Sequence, residues 1–524
     1  MLPGKIATIL ILATLLASLG AWIVALRYRA AMKRLMKAPL PIRPGEEPGS
    51  SASTTASAQQ APIATTLADN TRAHWRLLAA FCGLSLLMAV NRTLIMQLIA
   101  DGPITLKTVS TLAAAYAWPV VPVIAVIGRW PRRRLVGALL LWFIIAVALL
   151  SWRTTEAVSF GQVFLWMLLD IGLPLIIVTT LCLGGASRAI GPWLAPLFVL
   201  LCWSSQAGID LLAIAVDRES RLAQSFLSLF GGIGAIVAAG ILPWLLAWWP
   251  ARAIGRWLAH AYTQRQISEL IYLFTAVWTV ALTGPALGAI ADLGWGATVT
   301  FVPLLWIPLG AWSMQKLAAP PAGRPPTLLV LRVFQQDANV QALFDRVIER
   351  WRLTGNTVLI AGTDLVDRTI DVEDIFTFID GRLGERFIHH PADVAPRLAA
   401  FEFQPDMEGR YRVNECYCHD TTWQQALAEL VQSSDCVLMD LRNFRQENAG
   451  CLHELRVLAA APKLTHVVVL TNRDTALPPA HEAAANAPPE RFIWLNESSE
   501  QLLDPNQILG ALMGGESVRH SRNT

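Results

Sequence analysis

Ala318-Ala-Pro-Pro-Ala-Gly-Arg-Pro-Pro326 runs directly into Thr327-Leu-Leu-Val-Leu-Arg-Val-Phe334, and the chain changes character there. Before this boundary apolar segments follow one another almost without pause. After it, short apolar runs alternate with amphipathic ones, the pattern of a parallel sheet wrapped by helices. The sequence therefore predicts an N-terminal all-α polytopic membrane bundle, a Pro-rich hinge at 316–326, and a C-terminal α/β parallel-sheet domain at 327–513 with a disordered tail at 514–524. Function is confined to chemistry in the bilayer, chemistry in the cytosol, or a signal passed between them.

Composition agrees with two unlike parts: of 524 residues 54% are hydrophobic and 15% charged. Twenty Trp against six Tyr suit a membrane protein, since Trp gathers at the bilayer interface. A net charge of +3 is too small to argue for a nucleic-acid partner. The seven Cys, at 82, 182, 202, 416, 418, 436 and 451, form no paired framework, which suggests a reducing compartment for the soluble part.

A membrane-crossing helix needs about 20 mainly apolar residues. About nine such segments appear, at 6–26, 76–100, 106–127, 135–151, 160–183, 192–215, 224–249, 269–290 and 293–314. The first reads as an anchor with a basic flank (1–38), because Arg27-Tyr-Arg29 and Lys33-Arg34 follow it as a stop-transfer signal. Alternate loops are basic: Arg27 to Lys37, Arg129 with Arg132-Arg133-Arg134, Arg188, then Arg252, Arg256 and Arg265, and finally Lys316. The intervening loops are short and neutral or acidic. The positive-inside rule then predicts a multi-pass inner-membrane protein with a periplasmic N-terminus and a cytoplasmic C-terminal domain. Residues 39–74, rich in Pro, Ser, Thr, Ala and Gln, read as a disordered cytoplasmic linker, and 75–315 as the remaining bundle.

Charged groups inside spans are costly and mark sites by default. Arg92 falls in the second span, Asp170 in the fifth and Asp210 in the sixth. Arg92 is expected to pair with Asp170 or Asp210, either as a structural ion pair or along a proton or ion path, and Gly172 and Pro174 break the helix beside Asp170. Gly231-Gly-Ile-Gly234 reads as a small-residue face for close helix packing.

In the soluble half, strands are expected at 327–334, 356–361, 410–416, 436–441, 466–470 and 491–495, and helices at 339–352, 372–383, 423–432, 450–460 and 499–513. Asp420-Thr-Thr-Trp423 offers an N-cap. Cys416-Tyr-Cys418-His419-Asp420 lacks a second ligand pair at zinc spacing, so no metal is expected. Neither a Walker loop nor a G-x-S-x-G or H-E-x-x-H motif is present.

The chemistry-bearing stretch is Ser434-Asp-Cys-Val-Leu-Met-Asp440, a polar turn, and Asn448-Ala-Gly-Cys-Leu-His-Glu454-Leu455. Ligands of open α/β sheets bind beyond the carboxyl ends of the strands, which places Glu454 at the expected cleft. With the strand–Asp337–helix–Gly355–strand opening, this stretch resembles the TIR domain, whose Ser-x-Trp-Cys-x-x-Glu pattern keeps its Cys and Glu spacing at Cys451 and Glu454 while Gly450 replaces Trp. Ser434-Asp435, Gly450 and Glu454-Leu455 also resemble the nucleoside deoxyribosyltransferase-like group. A long insertion before Asp420 departs from the TIR pattern, as does the absence of an aromatic-Ser opening in the first strand.

The resemblances imply a flavodoxin-like or TIR-like sheet and cleavage of an N-glycosidic bond to ribose, with Glu454 as the catalytic carboxylate and Asp337, Asp440 and Asn448 toward the substrate. A carboxylate suits this reaction because positive charge develops on the sugar. NAD or another nucleotide would be the substrate, with no bound cofactor, and the partners would be the lipid bilayer and further copies or other TIR-like domains. Two alternatives stay open: a non-enzymatic membrane scaffold, and a transporter with a regulatory cytosolic domain.

Overall fold

Residues 3–37, 61–153, 158–181, 185–317, 323–332, 338–361, 372–418, 422–498 and 503–514 are described by the computed structural model. The bundle comprises α1 (Pro3–Lys37), α2 (Leu67–Ile99), α3 (Leu106–Tyr116), α4 (Val120–Ile127), α5 (Arg132–Arg153), α6 (Phe160–Met167), α7 (Leu173–Leu181), α8 (Gly185–Asp217), α9 (Arg221–Thr263), α10 (Glu269–Leu293) and α11 (Trp306–Leu317). A π-turn, Leu168–Gly172, joins α6 to α7, and a 3₁₀ stretch, Trp295–Leu305, leads into α11. Helices begin where the sequence supplies caps: Thr66 and Asp69 form a capping box on α2, and the Ser268 hydroxyl accepts the Ile271 N–H on α10. These caps satisfy N–H groups that have no partner inside the helix. Pro119 stands between α3 and α4, where the axis bends by 48°, since proline withholds an N–H from the helical ladder.

Among the described residues, eight helices are long and apolar enough to cross a bilayer, and the bent α3–α4 pair adds one more if it counts as a single span. The apolar window of α10 is 83% buried and that of α9 only 11%, so α10 is the hub and α9 lies at the periphery. The small-residue face expected at 231–234 does not form. Gly231 takes φ +71° and breaks α9, and a Cβ on Gly231 or Gly232 would meet nothing within 4 Å. Close packing occurs instead at Gly208, where a Cβ would lie 2.4 Å from the Ala239 carbonyl oxygen.

Among the described residues after the hinge is a seven-stranded, all-parallel sheet of β1 (Thr327–Arg332), β2 (Asn356–Ala361), β3 (Phe387–Ile388), β4 (Val413–Cys418), β5 (Cys436–Asp440), β6 (His466–Asn472) and β7 (Phe492–Glu497), in the order β3-β4-β2-β1-β5-β6-β7. Its helices are α12 (Ala338–Trp351), α13 (Val372–Ile379), α14 (Val394–Ala399), α15 (Trp423–Ser433), α16 (Ala449–Ala460), α17 (Leu477–Ala484) and α18 (Pro505–Leu512). Successive strand residues point to opposite faces. Leu328 and Val330 join a core continuous with the bundle, whereas Leu329 and Leu331 join a second core with α15 and α16. The bundle-side helices α12 and α18 pack on α2, and α13 packs on α8 and α9.

The joint is held by buried charge. Glu349 of α12 receives Arg129 from the α4–α5 turn at 2.8 Å, Arg352 at 3.3 Å, and Arg410. Arg410, itself fully buried, also reaches Glu269 at the start of α10 at 3.3 Å. Burial alone would raise the Glu349 pKa, but Arg410, Arg352 and Arg129 together hold it well below the usual carboxylate range. Around this centre Tyr28 of α1 donates to Asp374 at 3.0 Å, Asn70 of α2 donates to the Arg350 carbonyl at 2.6 Å, and Arg265 of the α9–α10 turn pairs with Glu402 at 2.5 Å. These helix ends carry the basic clusters that the sequence assigns to one side of the membrane.

Several expected boundaries change. α1 does not stop at its basic flank but continues with Tyr28 and Met32 fully buried. The linker expected at 39–74 shortens: 38–60 lie outside the described residues, Pro62 bridges to Arg324, and α2 begins at Leu67. Part of the hinge is pinned, with Arg324 clasping both oxygens of Asp435 at 2.9 and 2.6 Å; 318–322 lie outside the described residues. β4 starts at Val413 rather than 410, because Arg410 and Arg412 are drawn into ion pairs. The helix expected at 372–383 ends at Ile379, and the last one spans only 505–512, capped by Asp504. Asp420 and the tail beyond 514 lie outside the described residues, and the Thr422 hydroxyl donates to the Ile388 carbonyl instead of capping α15.

Removing one partner of a buried ion cluster leaves the others uncompensated, at a cost of about 3–5 kcal/mol. Glu349→Gln is therefore expected to lower the thermal unfolding midpoint of the full-length protein in detergent by several degrees at pH 7. Because the folded pKa is depressed, this stabilisation is complete above the unfolded value of about 4.3 and fades as pH falls below it. A variant melting with the wild type at pH 7 would show that the cluster does not hold the joint.

Candidate functional site

From β1 the chain passes to β2, then to β3 at the edge and back to β4 between them, and crosses to the other side of β1 as β5. Open α/β sheets place ligand sites at such a reversal, beyond the carboxyl ends of the strands. Asp440 ends β5, and α16 follows after a short turn. α16 packs on the face of the sheet away from the bundle, through Cys451, Leu455 and Leu458.

Glu454 lies on the buried side of α16, only 9% exposed. Its Oε2 is enclosed and, among the described residues, has no hydrogen-bond partner. Burial pushes its pKa up to about 8, so the group is mainly a neutral acid at pH 7. A surface carboxylate on a solvated helix would show neither property. On the same helix, burial and then Glu454 push the Cys451 thiol up to about 12, with a smaller push from Asp440. Cys451 is thus the residue that both acids act on, and it is an inert thiol rather than a nucleophile.

The other expected site residues have different fates. Asp440 is buried and clasped by Arg442, which donates from Nε at 2.9 Å and Nη2 at 3.0 Å and reaches Glu497 of β7 at 2.7 Å. Its carboxylate is therefore part of a clamp across the strand ends. Asn448 is exposed, and its Oδ1 accepts the Arg445 N–H at 2.9 Å, closing the turn before α16. Asp337 lies outside the described residues. The Cys416 and Cys418 sulfurs are 4.0 Å apart on β4, and no group of three His, Cys, Asp or Glu side chains suited to a metal occurs among the described residues.

Within the bundle, Arg92 pairs with Asp170 at 3.4 Å, and Tyr116 donates to the same carboxylate oxygen at 3.0 Å. The guanidinium carbon lies 3.6 Å from the Tyr116 ring centroid. Arg92 is buried, and its Nε and Nη1 have no partner among the described residues. Asp170 sits in the π-turn, where the sequence predicts a break. Asp210 is not part of this group: it pairs with Lys5 of α1 at 3.2 Å and accepts from Gln206 at 2.9 Å.

Sequence reasoning missed the joint around Glu349 and Arg410. Its one local sign is Glu349 and Arg352, opposite charges placed three apart at the end of α12. Comparison with protein-family models, curated proteins and solved structures finds no match to this chain.

A raised carboxyl pKa makes a specific stability signature. From the unfolded value near 4.3 up to about 8, ionising Glu454 weakens the fold increasingly as pH rises, on the order of 3 kcal/mol at neutral pH. Glu454→Gln, which mimics the neutral acid, is expected to melt with the wild type at pH 4.5 and several degrees above it at pH 8. A constant gap across that range would mean that the carboxyl is not the titrating group.

Proposed function

We propose that the chain is a multi-pass inner-membrane protein of about nine spans, with its N-terminus periplasmic and a flavodoxin-like, TIR-like α/β domain in the cytoplasm that hydrolyses the N-glycosidic bond of a nucleotide such as NAD. The observation that carries the reading is Glu454: a buried carboxyl whose Oε2 is enclosed and unpartnered among the described residues, with a pKa raised to about 8, on the strand–turn–helix unit beside the sheet's reversal. Unpartnered buried acids cost stability, and such groups concentrate where chemistry uses them. The core strand order β2-β1-β5-β6-β7 supports the flavodoxin-like reading, with β4 and β3 as an added edge.

A cationic ring beside Glu454 lowers its pKa and favours the ionised form. The nicotinamide–ribose link of NAD carries that charge, so binding would create the carboxylate that then stabilises the developing oxocarbenium ion. Water would add to the ribose carbon as its bond to nicotinamide breaks, passing its proton to the Glu454 carboxylate, and nicotinamide would leave neutral. Asp440 and Arg442 would hold the β5 end in place without touching substrate.

Glu454→Gln is expected to lower NAD hydrolysis by the full-length protein at least about a hundredfold, read as nicotinamide released. Because the free protein must lose a proton at Glu454, wild-type kcat/KM should climb about tenfold per pH unit below pH 8 and level off above it. Wild-type protein that releases no nicotinamide would leave the scaffold reading, which rests on the rigid joint around Glu349.

A further inference from the structure

A concavity lies where the bundle meets the α/β domain. It measures about 200 Å³ and is enclosed by the start of α8, the last turns of α9, Tyr272 of α10, and Phe376 and Ile379 of α13. Trp193 of α8 forms its floor against Gly255, where a Cβ would come within 3.0 Å of the indole. The walls are apolar and aromatic, with Tyr272 and Phe376 in edge-to-face contact at 5.3 Å.

The rim is cationic. Arg252 and Arg256, one turn apart on α9, line the opening. Both are exposed, and neither has an ion-pair partner among the described residues. In a joint where Arg129, Arg265, Arg352, Arg410 and Arg412 are all paired with carboxylates, these two stand apart. The level in the membrane is marked by exposed Trp248, Trp249 and Trp257 on the same part of α9, residues that favour the bilayer interface.

An apolar cavity with two free guanidinium groups at its mouth, at headgroup depth, matches one amphipathic ligand: an anionic phospholipid, its acyl chain against Trp193 and its phosphate on Arg252 and Arg256. Basic pockets between membrane helices on the cytoplasmic side recognise such headgroups. A free phosphate would satisfy the arginines and leave the apolar walls wet. We propose that this pocket binds one anionic phospholipid and that Phe376 and Ile379 bring the α/β domain into contact with it, so that lipid occupancy stabilises the docked joint. The inference rests on the membrane-spanning reading and is independent of chemistry at Glu454.

The test uses full-length protein in phosphatidylcholine nanodiscs with and without phosphatidylglycerol, followed by native mass spectrometry of the released protein. One phosphatidylglycerol per chain should persist on wild type. Arg252→Gln with Arg256→Gln should weaken its retention roughly thirtyfold, the attraction of two arginines to an anionic headgroup. Ile379→Trp, which fills the cavity from the soluble side, should abolish retention while leaving the arginines in place. Arg132→Gln with Arg133→Gln, in a different basic cluster at the start of α5, should retain the lipid as wild type does. Retention that survives both pocket variants, or falls equally in the loop control, would overturn the proposal. So would displacement of the bound lipid by millimolar inorganic phosphate in place of competing phosphatidylglycerol.

Discussion

The Glu349 carboxylate, surrounded by Arg129, Arg352 and Arg410, is the interaction on which the rest of the arrangement depends. It lies where the α4–α5 turn, the start of α10, helix α12 and the 406–412 segment converge. Burying a charge costs several kcal/mol before any pairing, yet the depressed pKa of Glu349 shows that its guanidinium partners outweigh that cost. Glu269 balances Arg410 from the other side. Glu408, fully buried and 3.6 Å from Arg410 Nε, is raised to about 7 by burial first and then by Asp406. Its ionisation weakens the fold between its unfolded pKa and pH 7, the opposite sense to Glu349. The joint therefore has a firm centre and one softer member.

That centre explains why two otherwise ordinary architectures pack as one. Only the bundle-side face of the sheet shares a core with the membrane helices, so α16 and Glu454 belong to the other face, with their own core. The bundle reaches the sheet through α12, α13 and α18, whereas the turn after β5 and helix α16 lie on the same sheet away from those contacts. Coupling between the two would run through a sheet whose strands are fixed on one side by ion pairs. Helix α13 carries both Phe376, which lines the pocket, and Asp374, which accepts from Tyr28.

Hydropathy and loop charge made the bundle legible, because a bilayer permits few solutions to a long apolar segment. The helix ends that contact the α/β domain carry the basic clusters read from the sequence. The parallel sheet was legible for a similar reason, since strands buried on both faces read as continuous apolar runs. The extra edge strands β3 and β4 were partly hidden: β3 has two residues, and β4 begins after arginines that pair with distant partners. Arg410 and Glu349 are 61 residues apart and Arg129 and Glu349 are 220 apart, so no periodicity joins them. At Gly231 the same residue type supports a packing face or a positive-φ break, and with open space around it the break is what occurs.

Asp440 and Glu454 show how one short unit separates structure from chemistry. Both are acids at the same end of the sheet, and both are buried. Asp440 has Arg442 folded over it, an ion pair made within a single turn, and through Glu497 it ties β5 to β7. Glu454 is buried with an orphaned Oε2 and no cation paired to it among the described residues, so its proton stays on at neutral pH. A fold selected only for stability would replace such a residue with Leu or Met, removing the unsatisfied group at nearly constant volume. Keeping the acid makes sense where an incoming cation completes the pairing that the protein leaves unmade.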